Sequence, residues 1–555
     1  MILRRLYIYL VSIAALIVLA FSLAQLGYPL IQLVFNSDAQ AYNRAALAGY
    51  TAAVAVSFPV WAIHVWFGGR FARRDPAERA SAIRRLYLYL ACAGSSIGTA
   101  IALANTFALA TQEQLDGAIC PAPGWSTCSV FVQLGIAQAA WVTIVLAAIF
   151  AFHYPIAARD RAAVGEVGAS ATLRRWYMYI ALFVGLFMML AGAQQVIQVA
   201  WLRGLHSPLL NFMTLAGPAG QLAAGFVLWS FHARLLATRY AKDDRGSTLR
   251  AVEGFIAVAI CIAVALVGAS QILYYSVARV LGVENPAGIS SDLIAEFAQP
   301  ASTMVVYGIA WFLIRLRLTR DAGSGEAARQ AGMRRFYTNL AALVSMAALA
   351  VGAAGFLGTL LVQAEAQVIG VSAPDWKNPV SLWLTLMVVG GAVWLAHWRQ
   401  VPWLGERQAL GRRIYLWVAL IGSVLAVLGG GIGLLYVVLQ QMFSTQPRLG
   451  DTANLAFAQS LAVVVVAAIV GLYHWRVLRS DSAARPSKAE PSLAVAPAGV
   501  SAATAGPEPS HELEETPGRH YELSIVGATE DDVHQALANL PPQASYKLVA
   551  SDHPA

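Results

Sequence analysis

The sequence predicts an all-α polytopic membrane protein of about twelve transmembrane helices, built as six tandem two-helix repeats. The composition is the first observation: 58% of the 555 residues are hydrophobic and 12% are charged, against roughly 25% charged residues in ordinary globular domains. The mean hydropathy of +0.59 agrees. The second observation is the recurrence of long apolar runs, and the third is a short motif that recurs at their ends.

Twelve apolar runs are long enough, at roughly 20 residues, to cross a hydrocarbon core of about 30 Å. Such runs must be helical, because lipid offers no hydrogen-bond partner to an unpaired backbone amide. The first run follows Arg4 and Arg5 as a signal peptide would, but no small-residue cleavage site follows, so we expect it to remain as the first helix. The runs cover residues 6–34, 43–67, 86–111, 129–154, 176–202, 208–233, 252–280, 292–314, 336–363, 378–398, 414–443 and 453–475.

A motif marks the ends of these runs. Odd runs begin with two arginines and, after one residue, a tyrosine, whereas even runs end near a histidine that a tryptophan precedes by three residues in three cases. Both signals keep one register, with a period of about 75–90 residues, which indicates internal duplication. The motif residues are Arg5, Tyr7, Trp61, His64, Arg85, Tyr87, His153, Arg175, Tyr177, Trp229, His232, Arg335, Tyr337, Trp394, His397, Arg413, Tyr415 and His474.

The repeats divide the chain into eight segments. The fourth copy is degenerate, since it reads Arg250-Ala251-Val252-Glu253 at the start and carries Ile314 in place of the histidine. The predicted segments are 1–80, 81–170, 171–246, 247–330 (degenerate), 331–408 and 409–479 for the repeats, 480–520 for a disordered cytoplasmic linker, and 521–555 for a small β-α-β-like tail.

A small residue stands seventeen positions after the second arginine position of every copy. Small residues allow membrane helices to approach closely, which favours a packing role, although Ala, Gly and Ser are also simply abundant in this chain. The residues are Ser22, Ala102, Gly192, Gly268, Gly352 and Gly430.

The distribution of positive charge predicts the orientation. The loops that join even to odd runs carry 25 Lys and Arg residues, whereas the other side carries five. Because positive residues accumulate in cytoplasmic loops, both termini are expected in the cytoplasm. Cys120 and Cys128 then lie on the outer side, where an oxidising environment favours a disulfide over two free thiols.

The repeated histidines are the main candidates for chemistry. His64, His153, His232, His397 and His474 could ligate haem in pairs, but they lie near the basic loops among interfacial aromatic residues, which favours a structural role. Tyr and His of one hairpin reach the same depth because the helices are antiparallel. We therefore expect a hydrogen bond or ring contact within a hairpin, for example between Tyr87 and His153.

Other functional classes find little support in the sequence. The arginine pairs set topology and could bind anionic lipid phosphates. No charged residue stands near the centre of a predicted span, and the deep polar residues are amides such as Gln194 and Gln459. Amides in membrane helices are typical of packing contacts rather than of coupled transport. Pro218 and Pro300 could break their helices, so a pore or a carrier remains an alternative. No phosphate loop, zinc spacing or nucleophile elbow occurs, and no nucleic-acid partner is expected.

The motif also resembles that of a known family. Arg-Arg-Leu-Tyr-x-Tyr-Leu at the start of one helix, with Pro59-Val-Trp61-Ala-Ile-His64-Val-Trp66 at the end of the next, is similar to a bacterial family described only as a domain of unknown function. The resemblance covers roughly residues 1–478, departs at both motifs in copy four, and implies tandem two-helix units without an activity.

The expected function is that of a non-enzymatic scaffold or partner-binding protein of the bacterial inner membrane. Neither a cofactor nor a metal site is expected. Residues 521–555 are expected to recruit a protein partner, and the bilayer, with anionic lipids at the cytoplasmic face, is the other partner. Two alternatives remain: a transporter or channel for an unknown solute, and a haem-binding electron carrier that uses the repeated histidines.

Overall fold

The computed structural model describes residues 2–35, 40–117, 126–240, 244, 247–322, 328–370, 372, 374–398, 407, 409–443 and 452–483. Within these ranges the chain forms twelve long helices and no β-strand. The helices are α1 (Ile2–Phe35), α2 (Gln40–Arg74), α3 (Ala82–Asp116), α4 (Ser126–Val164), α5 (Ala169–Gly204), α6 (Ala216–Leu235), α7 (Thr248–Val280), α8 (Ala298–Ala322), α9 (Ala328–Ile369), α10 (Lys377–Trp398), α11 (Leu410–Phe443) and α12 (Thr452–Ala483). Short helical turns occur at Pro76–Arg79, Pro208–Phe212, Leu236–Tyr240, Pro286–Gly288 and Leu293–Glu296.

Membrane-spanning length and composition confirm the predicted all-α polytopic class. Eleven helices of the described part are long and apolar enough to cross a membrane. The remaining one, α6, has 20 residues and includes Gln221, His232 and Arg234, so it is less apolar than the others. It also begins later than the predicted span 208–233, because Pro208–Phe212 forms a separate 3₁₀ turn.

Consecutive long helices pack as antiparallel hairpins, α1 with α2, α3 with α4, and so on to α11 with α12. The packing between hairpins follows one rule. The first helix of each hairpin also contacts both helices of the next hairpin, as α1 contacts α3 and α4, and α9 contacts α11 and α12. First helices therefore form a continuous row, and each second helix after α2 rests against two of them. We call the end of the bundle where first helices begin the motif end, and the opposite end the far end.

Large apolar side chains point outward along most helices, as expected of surfaces that face lipid. Leu425 on α11 and Ile432, two turns further along, are each more than half exposed. The interior is densest in the first three hairpins, where one core cluster includes Leu88, Met178 and Leu182. A smaller cluster around Ala342, Tyr415 and Leu416 joins the fifth and sixth hairpins at the motif end.

The last helix corrects the predicted start of the linker. Residues 480–520 were expected to be disordered, but α12 continues to Ala483. The extension has a physical cause, since Asp481 is buried against Arg412 of α11. The rest of the linker, the predicted tail 521–555 and Cys120 lie outside the described residues, as does the side chain of Cys128, so the predicted disulfide falls outside them too.

Candidate functional site at the motif end

Tyrosine and histidine of one hairpin meet at the motif end. The hydroxyl of Tyr87 lies 2.8 Å from Nε2 of His153, which confirms the predicted contact. Because a first helix begins where its antiparallel partner ends, the two rings reach the same depth. Equivalent pairs are Tyr177–His232 at 2.8 Å, Tyr415–His474 at 2.8 Å and Tyr7–His64 at 3.4 Å, while the rings of Tyr337 and His397 pack edge to face with centroids 6.1 Å apart.

The backbone determines the tautomer of each histidine. Nδ1 of every candidate histidine lies within hydrogen-bond distance of the carbonyl oxygen four residues earlier, at 2.7–2.8 Å. A carbonyl oxygen only accepts, so Nδ1 carries the proton. The neutral ring then offers only a lone pair at Nε2, to which the tyrosine hydroxyl donates in the four hydrogen-bonded pairs.

Burial distinguishes these histidines from the interfacial belt favoured by the sequence. His153, His232 and His474 are at most 1% exposed and lie between helices, with both ring nitrogens engaged. Trp66 and Trp475, at the same level, are about half exposed and do face outward. The histidines are therefore internal polar contacts, whereas the tryptophans occupy the outer surface.

Tryptophan extends these pairs across hairpin boundaries. Nε1 of Trp61 on α2 donates to the hydroxyl of Tyr87 on α3 at 3.0 Å. Nε1 of Trp394 on α10 donates to Tyr415 on α11 at 3.1 Å. Since an indole N–H can only donate, the proton order is fixed as Trp to Tyr to His. Each Trp–Tyr–His series of hydrogen bonds connects the second helix of one hairpin to both helices of the next.

The fourth hairpin has its own version of this arrangement. Trp311 of α8, three residues before Ile314, packs against the same core cluster as Tyr337 of the fifth hairpin. This tryptophan fits the motif spacing but was missed in the sequence. The tyrosine position holds Glu253, whose carboxylate accepts a hydrogen bond from Arg317 at 2.5 Å. The fourth hairpin therefore has an ion pair where the other hairpins have the Tyr–His pair.

The arginines of the first two hairpins pair with buried carboxylates. Nε of Arg5 donates to Glu78 at 2.8 Å, and the hydroxyl of Tyr9 donates to the other oxygen at 3.1 Å. Arg84 on α3 donates to the Tyr9 hydroxyl at 3.1 Å and to Asp160 at 2.6 Å. The two hairpins are thus joined by a continuous path of hydrogen bonds.

Two carboxylates continue this network into the third hairpin. Glu166 accepts from Arg85 at 3.2 Å, from Arg174 at 2.8 Å and from the Tyr89 hydroxyl. Asp244, fully buried, accepts from Arg174 at 3.3 Å and from Arg175 at 2.8 Å. Burying a charge is unfavourable unless it is paired and hydrogen-bonded, and these groups satisfy both conditions.

The remaining arginine positions differ among the later hairpins. Arg250 pairs with Asp321 at 2.8 Å, and Arg412 pairs with Asp481 at 2.7 Å. Within the described ranges, Arg335 and Arg413 show no ion pair, and Nε of Arg335 is buried without an acceptor. The sequence contained a signal that was missed: Asp160, Asp321 and Asp481 each stand seven residues after the histidine position. Seven residues are two helical turns, which brings the carboxylate to the same face.

The predicted small residues lie at close helix contacts. A Cβ at Gly192 would overlap the backbone of Pro218 and Leu222 on α6, and one at Gly268 would overlap the carbonyl of Pro300 on α8. Gly352 faces the backbone of α10, and Gly430 faces Ser460 and Val464 of α12. Ser22 is buried and Ala102 half-buried.

The amides and cysteines add little chemistry. Gln194 of α5 donates to Ser302 of α8 at 3.0 Å, a helix-bridging contact. Cys92 and Cys261 are buried free thiols. In the part of the chain that the structure covers, no three His, Cys, Asp or Glu side chains are grouped to hold a metal ion.

Comparison with known proteins gives one similarity. A family model described as a domain of unknown function (DUF5671) matches the chain twice, over residues 5–122 and 335–458. Both matches begin at the second arginine of a hairpin, Arg5 and Arg335, and each covers about three helices. No curated protein and no solved structure matches the chain. The chain is thus a multi-pass helical membrane protein that is similar, over these two regions, to a family without an assigned activity.

Proposed function

We propose that this chain is a non-enzymatic membrane scaffold whose hairpins form a rigid array and whose C-terminal segment binds a protein partner. One observation supports this most strongly. The side chains of the motif end that could most readily take part in chemistry are already engaged: buried histidines bond to tyrosines and backbone carbonyls, and buried arginines pair with carboxylates. A hydrogen-bonded and desolvated network of this kind rigidifies packing.

The network favours a structural role over haem ligation. A haem iron would need Nε2 of a histidine, and the tyrosine hydroxyl already occupies that atom in His153, His232 and His474. Ligation would therefore break a buried hydrogen bond in each hairpin. The absorption spectrum of the protein, purified in mild detergent from its native membrane, tests this directly. We expect no Soret band, and a band that disappears on replacement of His153 would establish the haem-protein alternative.

Partner binding is assigned to residues 521–555. In the sequence, Val533, Ala536, Leu537 and Leu540 follow helical spacing and form one apolar face. A segment of this size is too small to be stable alone, so docking on a partner supplies the missing core. Cross-linking in native membranes, followed by mass spectrometry, compares the full chain with Leu537→Asp and, as a matched control, Ser551→Asp. Loss of a cross-linked protein in the first variant alone is expected, and an identical set of partners in both would contradict the assignment.

The orientation belongs to the same proposal: an inner membrane location with the motif end in the cytoplasm. The charge bias among the loops supports it. Because most motif arginines are paired with carboxylates, anionic lipid contacts fall to exposed residues such as Arg70, which stacks over Trp66 with Cζ 5.5 Å from the ring centroid. Single cysteines at Arg70 and at Glu284 of the far end test the orientation. Labelling of intact cells by an impermeant maleimide is expected only at position 284, and the reverse pattern would overturn it.

A further inference from the structure

A long groove separates the fifth and sixth hairpins. It encloses about 790 Å³ and is lined by α9, α11 and α12, with Trp383 of α10 at one side. This volume lies within the range of about 300–1,000 Å³ that is typical of sites for small organic ligands. None of its lining residues belongs to the Tyr–His pairs or the arginine network.

The groove is about as long as a bilayer core is thick. Its wall on α9 runs from Leu343 to Gln363, which is about 30 Å at 1.5 Å per residue. The hydrocarbon core of a bilayer measures about 30 Å. At the motif end the groove is closed, since Leu343 packs against the cluster around Tyr415 and the lining residue Val470 supplies the carbonyl that binds His474.

The amides and the carboxylate of the lining lie toward one end of the groove. Near the motif end the lining is apolar and includes Met346, Val418 and Val466. Toward the far end it includes Gln363, Asp375 and Gln459. Along α12, Gln459 lies fifteen residues, or about 22 Å, from the His474 level. The far end thus offers free hydrogen-bonding groups, whereas the hydroxyl of Ser423, deeper in the groove, already donates to the carbonyl of Ala419.

Two of these polar side chains can form further hydrogen bonds. The Gln459 side chain is exposed and has no hydrogen-bond partner within the described ranges. Gln363 donates through Nε2 to the carbonyl of Pro374 at 2.9 Å, and its own carbonyl oxygen accepts no bond from described residues. An amide in an apolar wall is favourable only when something bonds to it. A hydroxyl or carbonyl group on a bound molecule would satisfy this requirement, whereas an anionic head would be repelled by the carboxylate of Asp375.

We propose that this groove binds one amphiphile with an uncharged, hydrogen-bonding head and a single apolar tail long enough to span the bilayer core. The head lies among Gln363, Asp375 and Gln459, and the tail extends to the floor beside Tyr415. The length distinguishes this ligand from ordinary phospholipids, because an acyl chain of one leaflet spans only about half of the bilayer core. The inference does not depend on the scaffold function.

Two glycines of α11 provide a matched pair of variants for the test. Gly422 lines the groove and has open space where a side chain would project, whereas Gly429 also has open space but lies outside the groove. Gly422→Leu therefore fills the groove, and Gly429→Leu adds the same side chain to the outer surface of the same helix. A Cβ at either position meets no atom within 4 Å, so both variants are expected to fold as the wild-type protein does.

Binding is measured with a radiolabelled long-chain polyprenyl alcohol added to the full chain in nanodiscs of dioleoyl phosphatidylcholine. The bilayer lipid is itself a competitor in large excess. We expect saturable binding near one molecule per chain, at least tenfold weaker binding in Gly422→Leu, unchanged binding in Gly429→Leu, and several-fold weaker binding in Gln459→Leu. Absence of saturable binding, or equal loss in the two glycine variants, would overturn the proposal. So would equal displacement by a short-chain prenol, which would show that tail length is not recognised.

Discussion

The carboxylate of Glu253 accepts a hydrogen bond from Arg317 at 2.5 Å, at the level where other hairpins place a tyrosine and a histidine. Glu253 is almost fully buried, whereas the Arg317 side chain is 36% exposed. The fourth hairpin thus keeps a polar link between its two helices with different chemistry. Such a link supports register between helices, because a buried polar group must stay opposite its partner.

Loss of one partner of this ion pair should weaken the protein. Glu253→Ala leaves Arg317 without its carboxylate, and because Arg317 is partly exposed we expect a loss of about 1–2 kcal/mol in the free energy of unfolding. The double variant Glu253→Tyr with Ile314→His rebuilds the pair of the other hairpins. Unfolding in mixed detergent micelles should show the double variant to be more stable than either of its single changes. Additive losses would show that the two positions do not interact.

The Trp–Tyr–His chain gives a second prediction. Tyr87→Phe removes the acceptor of Trp61 and the donor to His153, both partly or fully buried, so a loss of about 1–3 kcal/mol is expected. Tyr7→Phe is the matched control, since Tyr7 is 61% exposed and its contact with His64 is 3.4 Å long. The control should change the free energy of unfolding by less than about 0.5 kcal/mol. Equal losses of stability in the two variants would show that the buried Trp61–Tyr87–His153 hydrogen bonds contribute no more than the exposed contact.

Asp244 should be among the least replaceable carboxylates. It is fully buried and accepts hydrogen bonds from both Arg174 and Arg175, so Asp244→Ala removes the carboxylate that these two arginines share. The expected loss is about 3–5 kcal/mol. Glu284→Ala, at an exposed far-end position, should leave stability unchanged in the same unfolding titration. A mild effect of Asp244→Ala would mean that water or lipid headgroups compensate the arginines.

Close helix contacts give the fourth prediction. Gly192→Leu forces α5 away from α6, because even a methyl group would overlap the α6 backbone. Overpacking of this kind commonly destabilises by about 1–3 kcal/mol. Gly94→Leu on α3 enters open space and should be neutral or slightly stabilising, since leucine favours helix more than glycine does. Thermal unfolding of the purified variants distinguishes the two outcomes, and similar midpoints would contradict the close contact.

Helix periodicity and polarity were enough to predict the meeting of Tyr87 with His153. The length of a membrane helix is known, so motif residues at a helix start and at the end of its antiparallel partner must share a depth. The position of Asp160 could also have been predicted, because it stands two helical turns after His153 on the same helix. The position of Glu78 could not have been predicted, since it depends on the short helix Pro76–Arg79, which brings the carboxylate to Arg5 of α1.

The groove lay beyond sequence reasoning for a different reason. Gly422 stands eight residues before Gly430 on α11, and only Gly430 was predicted to be a packing residue. In the structure Gly430 meets α12 and Gly422 meets open space. A small residue can lie at a close helix contact or beside an open groove, depending on the distance between neighbouring helices. That distance is set by side chains far away in the sequence.

Among the described helices, extensive packing joins neighbouring hairpins, so the array is a one-dimensional series of interfaces. In such chains stability behaves as a sum of unit terms and nearest-neighbour couplings, so cooperativity decays along the row. The sixth hairpin has a single neighbour, through α9, and this is also the junction that the groove loosens. Under force or mild denaturation it should detach before the first three hairpins, whose couplings are reinforced by shared carboxylates. The order of the hairpins along the sequence also gives a route for membrane insertion during synthesis. Each hairpin that leaves the ribosome packs against the one inserted before it and completes its interface.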